Sequence, residues 1–379
     1  MSSNVVIAGY ARTPFTFAHK GELARTRPDE LAAAAVRGLV ARTGVKPEDI
    51  EDLICGCAMP EGEQGLNVGR LVALMSGLPI TVAGATLNRF CGSSMNAIHM
   101  AAGSIAMGAG EVFVCAGVES MTRVPVGGYN PMPNPAFAEA MPGAYMAMGE
   151  TAENLVEKYQ VTRDEQEELA ISSHAKAAAA QAEGRLTDEI VSVETKGGVV
   201  DQDGCIRAGT DKEALAGLKP AFKEGGSVTA GTSSPLTDGA SAVLVCSEDY
   251  ASKNGLTPLA RVKSIAVAGC APEIMGIGPV AATNKALARA GLKLEDIDVI
   301  EMNEAFASQV MACHREMPFD FARTNLDGGA LALGHPLGAT GARITGKAAS
   351  LLKREKGKYA LATQCIGGGQ GIATILEAI

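Results

Sequence analysis

The chain has 379 residues, 47% of them hydrophobic and 20% charged. That is enough to build the cores of about two to three domains, and it excludes a disordered or collagen-like chain. The net charge of −9 and pI of about 5.2 leave no basic footprint for nucleic acid, so an anionic ligand must be held by a few local Lys and Arg. Aromatics are 4%, Trp is absent and Gly numbers 45, a composition suited to closely packed helices and backbone-lined sites.

In chain order, Val5-Val6-Ile7-Ala8 opens a strand almost at once and leaves no room for a signal peptide. The most apolar long window, Met95 to Val118, is broken by His99 and Glu111, so no membrane span is expected and the expected compartment is the cytoplasm. A helix runs from Pro28-Asp29-Glu30 to Gly44, with Pro early and Gly late. Strand-length apolar runs follow at Asp52 to Cys57 and Val112 to Val118. Cys55-Gly56-Cys57 lacks a second Cys/His pair at ligand spacing, so it reads as a strand end and no metal is expected. Residues 121–148, rich in Pro, Gly and Met, read as a loop, and Thr162-Arg163-Asp164-Glu165 opens a helix with a capping box that Gly184 closes. Residues 120–236 read as an insertion covering a site, after which Ala242 to Cys246 returns to the first half. The second half offers a helix from Pro279 to Gly291 and strands at Val299 to Met302 and Tyr359 to Ile366.

The halves repeat. Gly44-Val45-Lys46-Pro47-Glu48-Asp49-Ile50 recurs as Gly291-Leu292-Lys293-Leu294-Glu295-Asp296-Ile297, an offset of 247, and Gly110 before its strand matches Gly357 at the same offset. This predicts an α/β fold of two repeated halves: residues 1–119 with 237–258, and residues 259–379, with 120–236 as an inserted loop domain.

Nine cysteines in a chain without export signals do not form a disulfide framework. Cys91, in Asn88-Arg89-Phe90-Cys91-Gly92-Ser93-Ser94, stands where a helical pattern begins; free N–H groups and the helix dipole stabilise a thiolate there, although a small buried core cysteine fits equally well. His335 sits among five glycines in Gly328 to Gly341, close to the position the repeat pairs with Cys91. Cys365 precedes Gly367-Gly368-Gly369, whose N–H groups suit an oxyanion hole. Asn303-Glu304 follows a strand and reads either as a donor or water-holding pair or as a helix cap.

Together these segments resemble the thiolase family over essentially the whole chain: Cys91 in its Gly/Ser setting, Asn303-Glu304-Ala305-Phe306, Gly334-His335-Pro336 and Cys365-x-Gly367. The resemblance implies two αβαβα halves and an acyl-cysteine mechanism. Cys91 is the nucleophile and His335 accepts its proton. His335 and an Asn303-held water bind the enolate oxygen, Cys365 protonates the enolate carbon and then deprotonates incoming CoA, and the Cys91 and Gly367 N–H groups form the second oxyanion hole. It also implies that coenzyme A (CoA) is a substrate, with no cofactor. Contacts to CoA or the acyl pocket fall on Arg207, Leu218, Phe222, Ala230, Ser234, Met148, Met275 and Phe306, with Lys219 and Lys223 as nearby positive charge.

The His-Met-Gly of the biosynthetic branch is Ala147-Met148-Gly149 here, and residues 124–145 are short and Pro-rich where that branch has a cationic tetramerisation loop. With Ser233-Ser234-Pro235, this favours a degradative 3-ketoacyl-CoA thiolase. The expected state is a homodimer or dimer of dimers, with a multifunctional β-oxidation subunit as a further candidate partner. The alternatives are an acetoacetyl-CoA thiolase run toward condensation and a silent acyl-CoA carrier. A ketoacyl synthase and a papain-like hydrolase are disfavoured by Cys365.

Overall fold

The computed structural model describes residues 4–379. One mixed sheet runs through them, in the spatial order Val299–Met302, Tyr359–Ile366, Gln370–Glu377, Ala260–Gly269, Val5–Arg12, Thr237–Ser247, Val112–Ser120, Asp52–Gly56, Ala83–Leu87. Read outward from its middle, the order repeats. In the first half Val5–Arg12 is antiparallel to Thr237–Ser247, that strand is antiparallel to Val112–Ser120, and Val112–Ser120 is parallel to Asp52–Gly56. In the second, Ala260–Gly269, Gln370–Glu377, Tyr359–Ile366 and Val299–Met302 follow the same sequence of directions. The halves join where Val6 faces Arg261 and Ile7 faces Ala260.

Each parallel pair needs a crossover, and a helix supplies it. Ser93–Ala106 lies between Asp52–Gly56 and Val112–Ser120 in the chain, and Leu337–Arg354 lies between Val299–Met302 and Tyr359–Ile366. These two helices pack against each other between the halves, with Met95, Ile98, Ile344 and Leu352 in one buried cluster with Phe113 and Ile372. Helix Pro28–Thr43 covers the outer face of the first half through Leu31, Val36 and Leu39, and Gly278–Ala290 covers the second through Ala282 and Ala286. The layers are therefore helix, sheet, helices, sheet, helix. Both outer helices end in a left-handed glycine, Gly44 at φ +67° and Gly291 at φ +68°, as their sequences predict.

The central contact is close because its residues are small. A Cβ on Gly341 would lie 2.3 Å from the backbone nitrogen of Met95, and Ser94 Oγ accepts from Ala342 N at 2.8 Å. The helix N-termini are thereby drawn together, and Cys91 and His335 each stand two residues before one of them.

Residues 121–148 are not the plain loop their composition predicts. Asn134 caps a short helix, Pro135–Ala140, by accepting from Phe137 N at 3.1 Å; a turn of 3-10 helix, Pro142–Tyr145, comes next; Met148 already begins helix Met148–Tyr159. Helix Arg163–Ala182 carries the predicted capping box at Thr162 and Glu165.

Candidate active site

Cys91 is buried in a tight turn entering helix Ser93–Ala106. Phe90, just before it, takes φ +43°, a conformation that a bulky residue adopts only under constraint. The constraint is visible: Phe90 N donates to Asn88 Oδ1 at 2.8 Å, and the Ser93 hydroxyl donates to Phe90 O at 2.6 Å while accepting from Arg89 N at 2.8 Å.

The second half holds three further groups at its strand ends and before its central helix. Cys365 is fully buried near the end of strand Tyr359–Ile366, and the Gly367 N–H beyond it draws the Cys91 thiol pKa down. Asn303 follows strand Val299–Met302 and is tied to the neighbouring strand by its N–H to Thr363 O at 3.0 Å. His335 is held by Thr237 Oγ1, which accepts from its N–H at 3.0 Å.

The His335 ring has a defined orientation. Nδ1 lies 2.6 Å from Thr340 Oγ1, which is also 3.4 Å from Pro336 O. A hydroxyl that donates to that carbonyl accepts from Nδ1–H, leaving Nε2 as the basic nitrogen, 3.4 Å from the Asn303 amide nitrogen. Asn303 Oδ1 is buried with no partner among the described residues, so it can accept from a water or ligand.

Burial controls protonation here. It pushes the Cys91 thiol up to about 11, against the opposing pull of the Gly367 and Cys91 N–H groups. It drives Cys365 well above an ordinary thiol, and a charge on Cys91 drives it further. It takes His335 down to about 3, helped by the Arg343 charge. At rest Cys91 and Cys365 are thus thiols and His335 a neutral imidazole. The dipole-stabilised thiolate expected from the helix N-terminus is outweighed.

Asn303 and Glu304 do not form a helix cap, because the next helix begins at Ala307 with Phe306 before it. Glu304 turns away from the centre and accepts from Ser173 Oγ at 2.7 Å, Asn325 Nδ2 at 2.8 Å and Leu331 N at 3.1 Å, which pins the glycine-rich approach to His335.

Met275, Phe306 and Cys365 share one apolar cluster, with Met148 packed on it. The Phe222 ring meets Phe306 edge-on, centroids 5.8 Å apart, and Ser234 N donates to Ala305 O at 3.0 Å. Leu218 lies over Gly231, beside exposed Ala230, so these residues form one rim. Arg207 is exposed and its guanidinium sits 5.1 Å from the Phe17 ring centroid, while its N–H donates to His174 Nδ1 at 3.1 Å. Lys223 is paired with Glu157, which offsets the free charge expected of it.

Sequence reasoning missed Thr340 and Glu119. Glu119 accepts from Ala58 N at 2.8 Å, Met59 N at 3.1 Å, Gln64 Nε2 at 2.7 Å and Gly338 N at 2.9 Å, and so ties the first half to the His335 helix. Its only trace in sequence is one acid at the end of an apolar strand.

A buried thiol two residues before one helix, and a neutral buried imidazole two residues before the helix that packs against it, suit an acyl-transfer enzyme that works through a cysteine. The Thiolase, N-terminal domain model matches residues 5–249 and the Thiolase, C-terminal domain model matches residues 256–378, and the chain belongs to the thiolase family. It is 45% identical to the 3-ketoacyl-CoA thiolase of Bacillus subtilis (strain 168), with all of both chains covered. It is 46% identical to that of Saccharophagus degradans, covering 99% of this chain and 98% of the relative. Among solved structures, human mitochondrial 3-ketoacyl-CoA thiolase in complex with CoA matches with a TM-score of 0.92 at 38% identity, covering 100% of this chain and 98% of that one. The Bacillus anthracis acetyl-CoA acetyltransferase matches with a TM-score of 0.92 at 40% identity, covering 100% and 99%.

Proposed function

We propose that the chain cleaves 3-oxoacyl-CoA with CoA, giving acetyl-CoA and a shortened acyl-CoA, in fatty-acid β-oxidation. The observation that carries this is that Cys91 and Cys365 are both buried and that Gln364, the neighbour of Cys365, hydrogen-bonds the Cys91 carbonyl, which brings the two thiols to one region. One thiol holds an acyl group while the other moves a proton, and neither can do both at once.

In this reading Cys91 Sγ attacks the 3-keto carbon as its proton passes to His335 Nε2. The Cys91 and Gly367 N–H groups hold the resulting oxyanion. Breaking the C2–C3 bond leaves acyl-Cys91 and the enolate of acetyl-CoA. The enolate oxygen rests on protonated His335 and a water on Asn303, and its carbon takes the Cys365 proton. The high thiol pKa of Cys365 keeps that proton available. The Cys365 thiolate then deprotonates incoming CoA, whose sulfur takes the acyl group, and Cys91 leaves with the proton from His335. Met148, Met275 and Phe306 line the acyl pocket; Leu218, Phe222, Ala230 and Ser234 hold pantetheine and adenine; Arg207 lies at the adenine end.

The domain reading is that residues 1–119 with 237–258 and residues 259–379 are the two catalytic halves, and residues 120–236 cover the CoA. The working unit is a homodimer in the cytoplasm, with a multifunctional β-oxidation subunit as a further partner. Condensation of acetyl-CoA is the second reading, favoured by the likeness to an acetyl-CoA acetyltransferase and opposed by Ala147 and the short 124–145 segment.

The deciding assay is CoA-dependent cleavage of acetoacetyl-CoA and of a long-chain 3-oxoacyl-CoA. The long substrate is expected to be cleaved faster, and Cys91→Ala to lose about a thousandfold or more in kcat. Cleavage confined to acetoacetyl-CoA would move the chain to the short-chain branch, and cleavage of neither by folded protein would sink the proposal.

A further inference from the structure

We infer that Gln364 is a positioning residue that sets the spacing between the nucleophile turn and the two groups facing it. Gln364 is fully buried in strand Tyr359–Ile366, and its Nε2 donates to the carbonyl of Cys91 in the opposite half. That carbonyl has no place in the helix ladder, which starts one residue later with Asn96 N donating to Gly92 O at 2.9 Å. The amide orientation is fixed by chemistry, since two facing oxygens would repel; Gln364 Oε1 is buried and has no partner among the described residues.

Cys365 and Gly367 hang from the same strand end, directly after Gln364 in the chain. One hydrogen bond therefore ties the Cys91 peptide to the strand end that carries the Cys365 thiol and leads into the Gly367 N–H. The turn needs this restraint because Phe90 sits at φ +43°. Arg89 Nη1 also bridges to Gln370 Oε1 at 2.8 Å, but it ties the rim of the turn and leaves the Cys91 peptide free. Without Gln364 the buried carbonyl loses its donor and the strained turn relaxes, carrying Sγ away from Gly367 N–H.

The inference rests on the reading of Cys91 as nucleophile and Cys365 as proton carrier, and its test is separable from that reading. Gln364→Met keeps the volume and removes the donor. It is expected to lower kcat by about tenfold or more with KM for CoA within about twofold, and to slow iodoacetamide labelling of Cys91 several-fold at about pH 8. Gln364→Glu keeps the shape. Its acid form donates as the amide does and its carboxylate cannot, so its labelling rate relative to the parent should be near one at low pH and fall as pH rises. Parent-like labelling and kcat in Gln364→Met would overturn the inference. So would a Gln364→Glu ratio that is flat with pH. If the parent itself cleaves no 3-oxoacyl-CoA, the functional proposal fails, while Cys91 labelling still decides the role of Gln364.

Discussion

At Cys91 two influences oppose each other. The Gly367 and Cys91 N–H groups pull the thiol pKa down, burial pushes it up, and burial prevails at about 11. His335, lowered to about 3, stays neutral throughout the working range and cannot hold Cys91 as a thiolate in a resting ion pair. Labelling of Cys91 by neutral iodoacetamide should therefore rise about tenfold per pH unit from about pH 6 to about pH 9, following the thiolate fraction. Mass-spectrometric rates at Cys91 check this, and a plateau near neutral pH would mean a preformed thiolate–imidazolium pair. Cys91, His335 and Cys365 could be singled out in sequence because each stands beside glycines that let backbone approach closely, although Gly338 and Gly341 also serve the packing of the central helices. Gln364 and Thr340 were not, because their partners lie across the fold or are ordinary hydroxyl contacts that no local pattern marks.

Among the elements, the 247-residue offset revealed the doubled architecture because caps and strand starts must recur wherever the same layer is built twice. The short helices after residue 134 escaped notice because Pro and Met spacing looks loop-like, and their start depends on one Asn side chain. Glycine count pointed to tight helix packing without placing it; the structure puts it where Leu337–Arg354 crosses Ser93–Ala106. Gly341→Val should test that contact. Its Cβ would press on the Met95 backbone, which cannot rotate aside, so a loss of about 1–3 kcal/mol or more is expected from denaturant midpoints. Gly103, exposed in the facing helix Ser93–Ala106 with open space at its Cβ, is the control: Gly103→Ala should gain about 0.5–1 kcal/mol from helix propensity. Equal midpoints for the two variants would show that the helices are not in close contact.

For the whole molecule, the sheet ends on one side at Ala83–Leu87, a strand paired only with Asp52–Gly56. An open edge of this kind invites a further strand, and the flanking segments carry apolar side chains in solvent: Ile80 is 81% exposed and Met107 is 85% exposed, and Leu74, Met75 and Met100 are also open. The proposed homodimer would cover this edge with its own copy and continue the sheet across the contact. Because Ile80 and Met107 touch little within one chain, charging them should leave the fold intact and act only on association. The parent is expected to sediment at twice its 38.8 kDa at micromolar concentration, and Ile80→Glu with Met107→Glu to shift toward the monomer with an unchanged melting profile at high dilution. A parent that sediments as a monomer would remove the dimer from the proposal. A dimer that ignores both charges would place its interface on another face.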